Sequence, residues 1–290
     1  METRWLYRTS EDLRELLEAS KGVCVIPMGC VEKHGLHLPL GTDAIQAESI
    51  SLLASSLETV CVFPTFVVGD LCAAAPSAPH GTITLPMDVE ELLLELYCEQ
   101  IARAGFRKIL VYNAHGGNKS WLAAFLRKLQ NKKRDFCLGV VSYNATEPKE
   151  IAAELLEKGR GIYPELTAED EEYLIDFYVT KKQDGHGGLG ETALLMAVAP
   201  EAVKMDRLGI ENGLNTHAAD YLKDAGIMIQ DNGWGMNFPN AYAGHDPVGC
   251  NERIGRACLN LAVKKAAHAF KVYKDDENML RWLDEYQKGW

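Results

Sequence analysis

The chain has 290 residues, 47% of them hydrophobic, which is enough for a large core, and a formal net charge of −11. That acidic balance argues against a nucleic-acid backbone or an anionic membrane surface as partner, since both require a basic face. No apolar run approaches the ~18 residues that a bilayer span needs.

The N-terminal stretch "METRWLYRTSEDLRELLEAS" is charged and helical in pattern, with Ser10 as the expected N-cap, and does not resemble a secretion signal. Continuous apolar, β-rich runs follow at Val23 to Met28, Val60 to Val68, Lys108 to Tyr112 and Cys137 to Tyr143, as expected of strands buried on both faces. Helical patterns separate them at Asp43 to Leu57, Asp88 to Ala104 and Lys119 to Asn131. This alternation predicts a mainly parallel central sheet with helices on both sides. The second half reads as more helical, at Ala168 to Lys181, Glu191 to Val198, Thr216 to Lys223, Asn251 to Tyr273 and Asp276 to Gln287, with "DNGWGMNFPNAYAGHDPVG" as an ordered loop or loop-and-strand region. No linker-like composition interrupts the chain, so one domain over 1–290 is expected. The 8 cysteines lack CxxC or zinc-finger spacing, and several sit inside apolar segments, as reduced thiols of a cytoplasmic protein would.

Three clusters carry chemistry. The first, "CVEKHGLHLPLGTD", follows an apolar strand and places Glu32, His34, His37 and Asp43 at its carboxyl end, where open α/β sheets form their ligand sites. Glu32 and His34 are two apart and would share a face of an extended segment. The second, "KILVYNAHGGNKSW", repeats the pattern with Asn113, His115 and Asn118, and its Gly116 and Gly117 allow a positive φ or close backbone approach. The third, "DGHGGLGETALLMAVAP", sets His186 in a glycine-rich loop and Glu191 at a helix start.

Singly, these residues have plainer readings: Glu32 as a solvated loop acid, Asp43 as a helix cap, His115 as a hydrogen-bonded loop imidazole, Glu191 as a complement to the helix dipole. Together, Glu32, His34, Asp43, His115 and Glu191 form an imidazole and carboxylate set without thiolate, suited to Zn²⁺, Mn²⁺ or Fe²⁺. A carboxylate such as Asp43 can bridge two ions about 3.5–4 Å apart, with a shared water as nucleophile. Two rival motifs stand beside this. Gly185, Gly187 and Gly190 have GxGxxG spacing, but the segment before them looks helical rather than like a strand. Cys30, close to Glu32 and His34, offers a thiol nucleophile.

The motifs "PMGCVEKHGLHLPLGTD", "PHGTITL", "NAHGGN", "GHGGLGETALLMAVAP" and, more loosely, "GHDPVGCNERIGRA" resemble the creatininase (creatinine amidohydrolase) family across residues from about 24 to 260. The resemblance implies a three-layer α/β/α sandwich, two divalent metal ions per chain (Zn²⁺ first, Mn²⁺ or Fe²⁺ otherwise) and a homohexamer. Glu32, His34, Asp43 and His115 match the family's metal ligands, with Asp43 as the bridge, and His186 matches a histidine that resembles a proton shuttle. Creatinine-hydrolysing members also use a Glu two residues after the last His, where this chain has Gly117, so Glu191 of the downstream "ET" motif becomes the expected fifth ligand. Creatininases close tryptophans from a mobile segment over creatinine. This chain has no Trp between Trp121 and Trp234, which points away from creatinine itself.

The expected function is therefore metal-dependent hydrolysis of a small, cyclic or formyl-type amide, with His186 passing a proton to the leaving nitrogen and Asn113 and Asn118 holding the His115 loop. Hydrolytic C–C cleavage of an oxidised cyclitol on the same metals, and non-catalytic binding of a small molecule, are the alternatives. His80, His245, Trp234 and Tyr242 are further candidates for the pocket wall, His37 is expected behind the ligands, and His217 and His268 are expected to be structural or exposed.

Overall fold

Four strands, β1 (Val23–Met28), β2 (Cys61–Val62), β3 (Lys108–Asn113) and β4 (Cys137–Ser142), pair only in parallel, in the order β2-β1-β3-β4. Parallel neighbours cannot be joined by a hairpin, so each connection must cross over a face of the sheet. The computed structural model describes residues 1–71 and 81–289. Its helices are α1 (Ser10–Ala19), α2 (Thr42–Leu57), α3 (Met87–Arg103), α4 (Asn118–Lys128), α5 (Glu147–Lys158), α6 (Ala168–Val179), α7 (Leu189–Val198), α8 (Asp220–Asp224), α9 (Trp234–Asn237), α10 (Glu252–Asp275) and α11 (Met279–Tyr286).

The side-chain alternation of β1 divides the interior in two. Val23 and Val25 join Leu110 and Tyr112 in a core closed by α2, α5, α6, α7 and α10. Cys24, Ile26 and Met28 join Ile109 and Val111 in a core closed by α1, α3 and α4. The result is the α/β/α sandwich expected, with β1 and β3 buried along their whole length. Register aligns Met28 with Asn113, and Asn113 with Ser142, so the carboxyl ends of three strands stop at one level.

Several elements differ from the sequence reading, each for a local reason. The second strand shrinks to Cys61–Val62 because Pro64 follows. Its line is continued by single bonds, from the Phe63 N–H to the Val25 carbonyl, from the Phe66 N–H to the Pro27 carbonyl and from the Gly29 N–H to the Phe66 carbonyl. At the opposite edge, β4 is half-buried rather than covered on both faces. Thr9, not Ser10, caps α1, through a reciprocal capping box with Asp12. The polar helix expected at Thr216 to Lys223 reduces to α8, preceded by His217 at a φ of 60°, since no apolar face packs to extend it. Asp276 lies outside α11, where its carboxylate accepts from the Asn278 and Met279 N–H groups. The Gly-rich region near residue 240 contains the short α9 and loops, with no strand among the described residues. Helix α5 was not anticipated, although Pro148 in its first turn and the buried Ile151, Ala152 and Leu155 are ordinary helix signals.

One contact fixes the start of α2 against the sheet. A Cβ placed on Gly29, directly after β1, would lie 2.4 Å from the Ala44 nitrogen and 2.5 Å from the Asp43 carbonyl carbon. Both are backbone atoms, so neither can turn aside. Gly29→Ala is expected to destabilise the protein by about 1–3 kcal/mol, whereas Gly116→Ala, whose added carbon meets nothing within 4 Å, should change stability by less than about 0.5 kcal/mol. Urea midpoints compare the two, and equal midpoints would refute the contact as a constraint.

Candidate metal centre

The level strand ends bring together residues far apart in the chain. Cys30, Glu32 and His34 lie on the loop after β1, Asp43 in the first turn of α2, His115 after β3, and Glu191 in the first turn of α7. Asp43 sits at the middle and is buried. Its Oδ1 lies 3.2 Å from His34 Nε2, and its Oδ2 lies 2.9 Å from His115 Nδ1. Glu32 Oε1 approaches His115 Nδ1 to 2.9 Å, and Glu191 Oε2 lies 3.6 Å from His34 Nε2. Besides Glu32 with His34 and His186, two donor groups result, Cys30 with Glu32, Asp43 and His115, and His34 with Asp43 and Glu191, and the donor atoms within each lie within 4.8 Å of one another. They share Asp43, one carboxylate oxygen facing each, as a bridging carboxylate requires.

Main-chain carbonyls aim the imidazoles. His34 Nδ1 donates to the Glu32 carbonyl at 3.2 Å, and His115 Nε2 donates to the Asp70 carbonyl at 2.7 Å. A carbonyl only accepts, so those nitrogens carry the protons and the opposite nitrogens face the carboxylates, the tautomers a metal ligand needs. Asn113 and Asn118 hold the His115 loop as expected. Asn113 exchanges bonds with the His115 backbone at 2.8 and 3.2 Å. Asn118 donates to Asn113 Oδ1 at 3.0 Å and accepts from the Asp70 N–H at 3.0 Å. Neither Gly116 nor Gly117 has a positive φ. Gly117 serves close approach instead, since a Cβ there would lie 2.2 Å from the Asp70 oxygen and 2.6 Å from His115 Nε2. The position leaves no space for any side chain.

The electrostatics suit a cation. Burial disfavours charge on His34, but Asp43, Glu191 and Glu32 outweigh it and lift the imidazole to about 10. His115 is likewise raised well above its ordinary value, burial being overcome by Glu32 and Asp43. Burial also opposes ionisation of Glu32 and Asp43, yet the surrounding imidazoles hold Glu32 at about 2 and Asp43 well below the usual carboxylate range. Glu191 moves the other way, to about 7, through burial reinforced by Asp43 and Glu32. Among the described residues no lysine or arginine pairs with these three acids. Protons on histidine supply the compensation that a pair of divalent ions would supply better, and the donor set fits such a pair.

His186 adjoins both groups. Its ring stacks on His34 at 4.0 Å, its Nε2 donates to the Lys33 carbonyl at 2.7 Å, and its Nδ1 faces Glu32 Oε1 at 3.8 Å. Burial, with His34 alongside, lowers it to about 4, so the ring is neutral with an open Nδ1 lone pair. Trp234 in α9 meets His186 edge-on at 5.3 Å. A cavity of about 210 Å³ opens here, lined by Gln46, Asn144, Lys149, Asp184, His186 and Glu191 among others.

Other candidates separate from the site. His37 is buried behind it, with Nε2 3.1 Å from the Thr192 hydroxyl, next to Glu191. Tyr242 packs against His37 and donates to Asp246 rather than reaching the ligands. His245 accepts from the Gln183 N–H and lines a different cavity. His80 lies outside the described residues. His217 bonds Asp220 at the surface, and His268 is exposed on α10. The GxGxxG glycines follow helix α6 instead of a strand, which is not the dinucleotide context. Cys30 does not suit the nucleophile reading, because burial, Asp43 and Glu32 push its thiol well above the ordinary range. Sequence reasoning missed its place among the donors and described the set as free of sulfur. The i, i+2 relation of Cys30 and Glu32 was the available signal.

The Creatininase family model, described as creatinine amidohydrolase, matches residues 7–270. The mycofactocin precursor peptide peptidase of Mycobacterium ulcerans (strain Agy99) is 27% identical over 196 residues, a match that spans 65% of this chain and 63% of that protein. Creatinine amidohydrolase of Pseudomonas putida is 24% identical over 216 residues, 69% of this chain and 73% of its own. Among solved structures, one described as Creatininase Mn superposes with a TM-score of 0.68 at 19% identity, covering 95% of this chain and 100% of its own, which shows a common fold. A family match running from residue 7 to residue 270 leaves little of the chain outside it, and the protein belongs to the creatininase family.

Proposed function

We propose that this chain is a hydrolase, dependent on divalent metal, that cleaves the C–N bond of a small cyclic or formyl-type amide. The observation that carries the reading is Asp43, whose two oxygens face separate donor groups. Glu32, Asp43 and His115 would hold one ion, and His34, Asp43 and Glu191 the other, with Zn²⁺ favoured by the imidazole and carboxylate donors and Mn²⁺ or Fe²⁺ compatible with them. When bound, such a pair supplies acidified water and a polarised carbonyl near neutral pH.

The chain's own groups perform the rest. His186 is neutral, and its Nε2–H is committed to the Lys33 carbonyl, so Nδ1 is the atom that takes a proton and returns it to the leaving nitrogen. Glu32 Oε1, 3.8 Å away, stabilises the imidazolium formed in between. Trp234 meets the His186 ring edge-on and helps to hold it in place. The cavity of about 210 Å³ suits a small amide and not a folded polypeptide. The relative named as a peptide peptidase supports a second reading, in which the end of a peptide enters the same cavity. Both relatives' names denote amide hydrolysis, which favours C–N over C–C cleavage and catalysis over binding alone. The proposal takes the chain as one hydrolase domain, cytoplasmic and homohexameric; no helix among the described residues is long and apolar enough to cross a membrane.

Metal analysis of the purified protein should find about two divalent ions per chain, and Asp43→Ala should lose both metal and turnover. Activity in protein stripped of metal would overturn the reading. His186→Ala should lower kcat by about 10²–10⁴-fold while metal content stays at the wild-type level; loss of metal in that variant would make His186 a ligand rather than a proton carrier. Product assays on a panel of small amides should show amine or ammonia release or ring opening to an amino acid, and a new carboxylate formed from a nitrogen-free cyclic diketone instead would establish C–C cleavage.

A further inference from the structure

Of the seven free cysteines among the described residues, Cys30 is set apart by its surroundings. Cys24, Cys61 and Cys98 are buried in the apolar core between the sheet and α1, α3 and α4. Cys30 is as deeply buried, yet its sulfur faces two carboxylates and an imidazole. Its Sγ lies 3.1 Å from Asp43 Oδ2, 3.2 Å from Glu32 Oε1 and 3.3 Å from His115 Nδ1.

We propose that Cys30 Sγ is a fourth protein ligand to the ion held by Glu32, Asp43 and His115, so that the two metal positions differ in kind, one with a sulfur donor and the other with only oxygen and nitrogen. The inference rests on the metal reading of the site given above. Bonds of about 2.0–2.3 Å to a tetrahedral zinc place neighbouring donors about 3.3–3.8 Å apart. Here the contacts among the four donors include 2.9 Å from His115 Nδ1 to each carboxylate and 3.1–3.3 Å from the sulfur to its neighbours. The four have the shape of such a cage drawn inward by a few tenths of an ångström. As a thiol, Cys30 donates toward Asp43 Oδ2 and Glu32 Oε1; simple packing is disfavoured by these charged neighbours and nucleophilic attack by their negative sign. Ligation uses those same neighbours. As the metal–sulfur bond forms, the thiol proton leaves to solvent, which is the usual state of a coordinating cysteine.

The consequence is selectivity. A thiolate prefers zinc or cadmium to manganese, whereas the position formed by His34, Asp43 and Glu191 has the donors that manganese accepts. The chain would thus sort two different metals into its two positions.

Cobalt loading tests this without reference to turnover. The wild-type protein filled with Co²⁺ should show a near-ultraviolet sulfur-to-cobalt charge-transfer band with the strength of one bond per chain. The band should vanish in Cys30→Ser and persist in Cys72→Ser, a control for the cysteine that lies outside the described residues. X-ray absorption of the zinc-loaded wild-type protein needs no variant and should find one sulfur for every two zinc ions. A protein carrying its full complement of ions with only oxygen and nitrogen around them would overturn the sulfur ligand and leave the metal centre standing. Failure to bind any divalent ion would overturn both.

Discussion

A single buried carboxylate organises this protein. Asp43 is 1% exposed and enters the site from α2, a helix buried against β1, α7 and α10. Isolated, such a charge would be strongly unfavourable, and it persists because His34 and His115 each meet one of its oxygens. Those histidines belong to different strand-end loops. The contact between Gly29 and the backbone of Asp43 and Ala44 joins the geometry of the sheet to that of the helix start. Glu191 is brought to the same point by α7, which packs on α2. Removing the Asp43 carboxylate would leave two raised imidazoles without their shared partner, and the two donor groups without a link.

A common device sets the three site histidines. Each donates one ring nitrogen to a main-chain oxygen, at Glu32 for His34, Asp70 for His115 and Lys33 for His186. Many metal-binding histidines are oriented by a side-chain carboxylate instead. With carbonyls in that place, the nearby acids stay directed at the interior, where the structure concentrates three of them. Orientation of the rings becomes a property of the loop backbones, which are themselves tied by the Asn113 and Asn118 amides.

What was legible beforehand follows a clear division. β1 and β3 announced themselves as continuous apolar runs, and the residues after them were readable as candidate donors because strand ends in parallel sheets point there. The proposal of Asp43 as a bridge followed from its residue type and from family resemblance, and the structure sets it between His34 and His115. Contacts set by tertiary packing were less accessible. Nothing local in "DNGWGMN" says that Trp234 meets His186 edge-on, and the sulfur of Cys30 was hidden by its likeness to the core cysteines of neighbouring segments. The truncation of the second strand and the missed α5 are different, since Pro64 and Pro148 were both in view. There the error lay in weighting apolar runs above the residues that punctuate them.

The level ending of β1, β3 and β4 has a bearing on how such a protein changes through descent. An extra residue within β1 would exchange Val23 and Val25 with Cys24, Ile26 and Met28 between the two cores, and would carry Cys30, Glu32 and His34 out of reach of Asp43 in the same stroke. Folding and chemistry are therefore inherited together along the strands, and lineages that lost one would lose both. Segments beside the centre that do not bear on the register, such as the stretch around Lys149 that lines the cavity or α9 with Trp234 against His186, are free of that bond. New specificities within this architecture would arise there, by drift at the wall of a centre that the sheet holds constant.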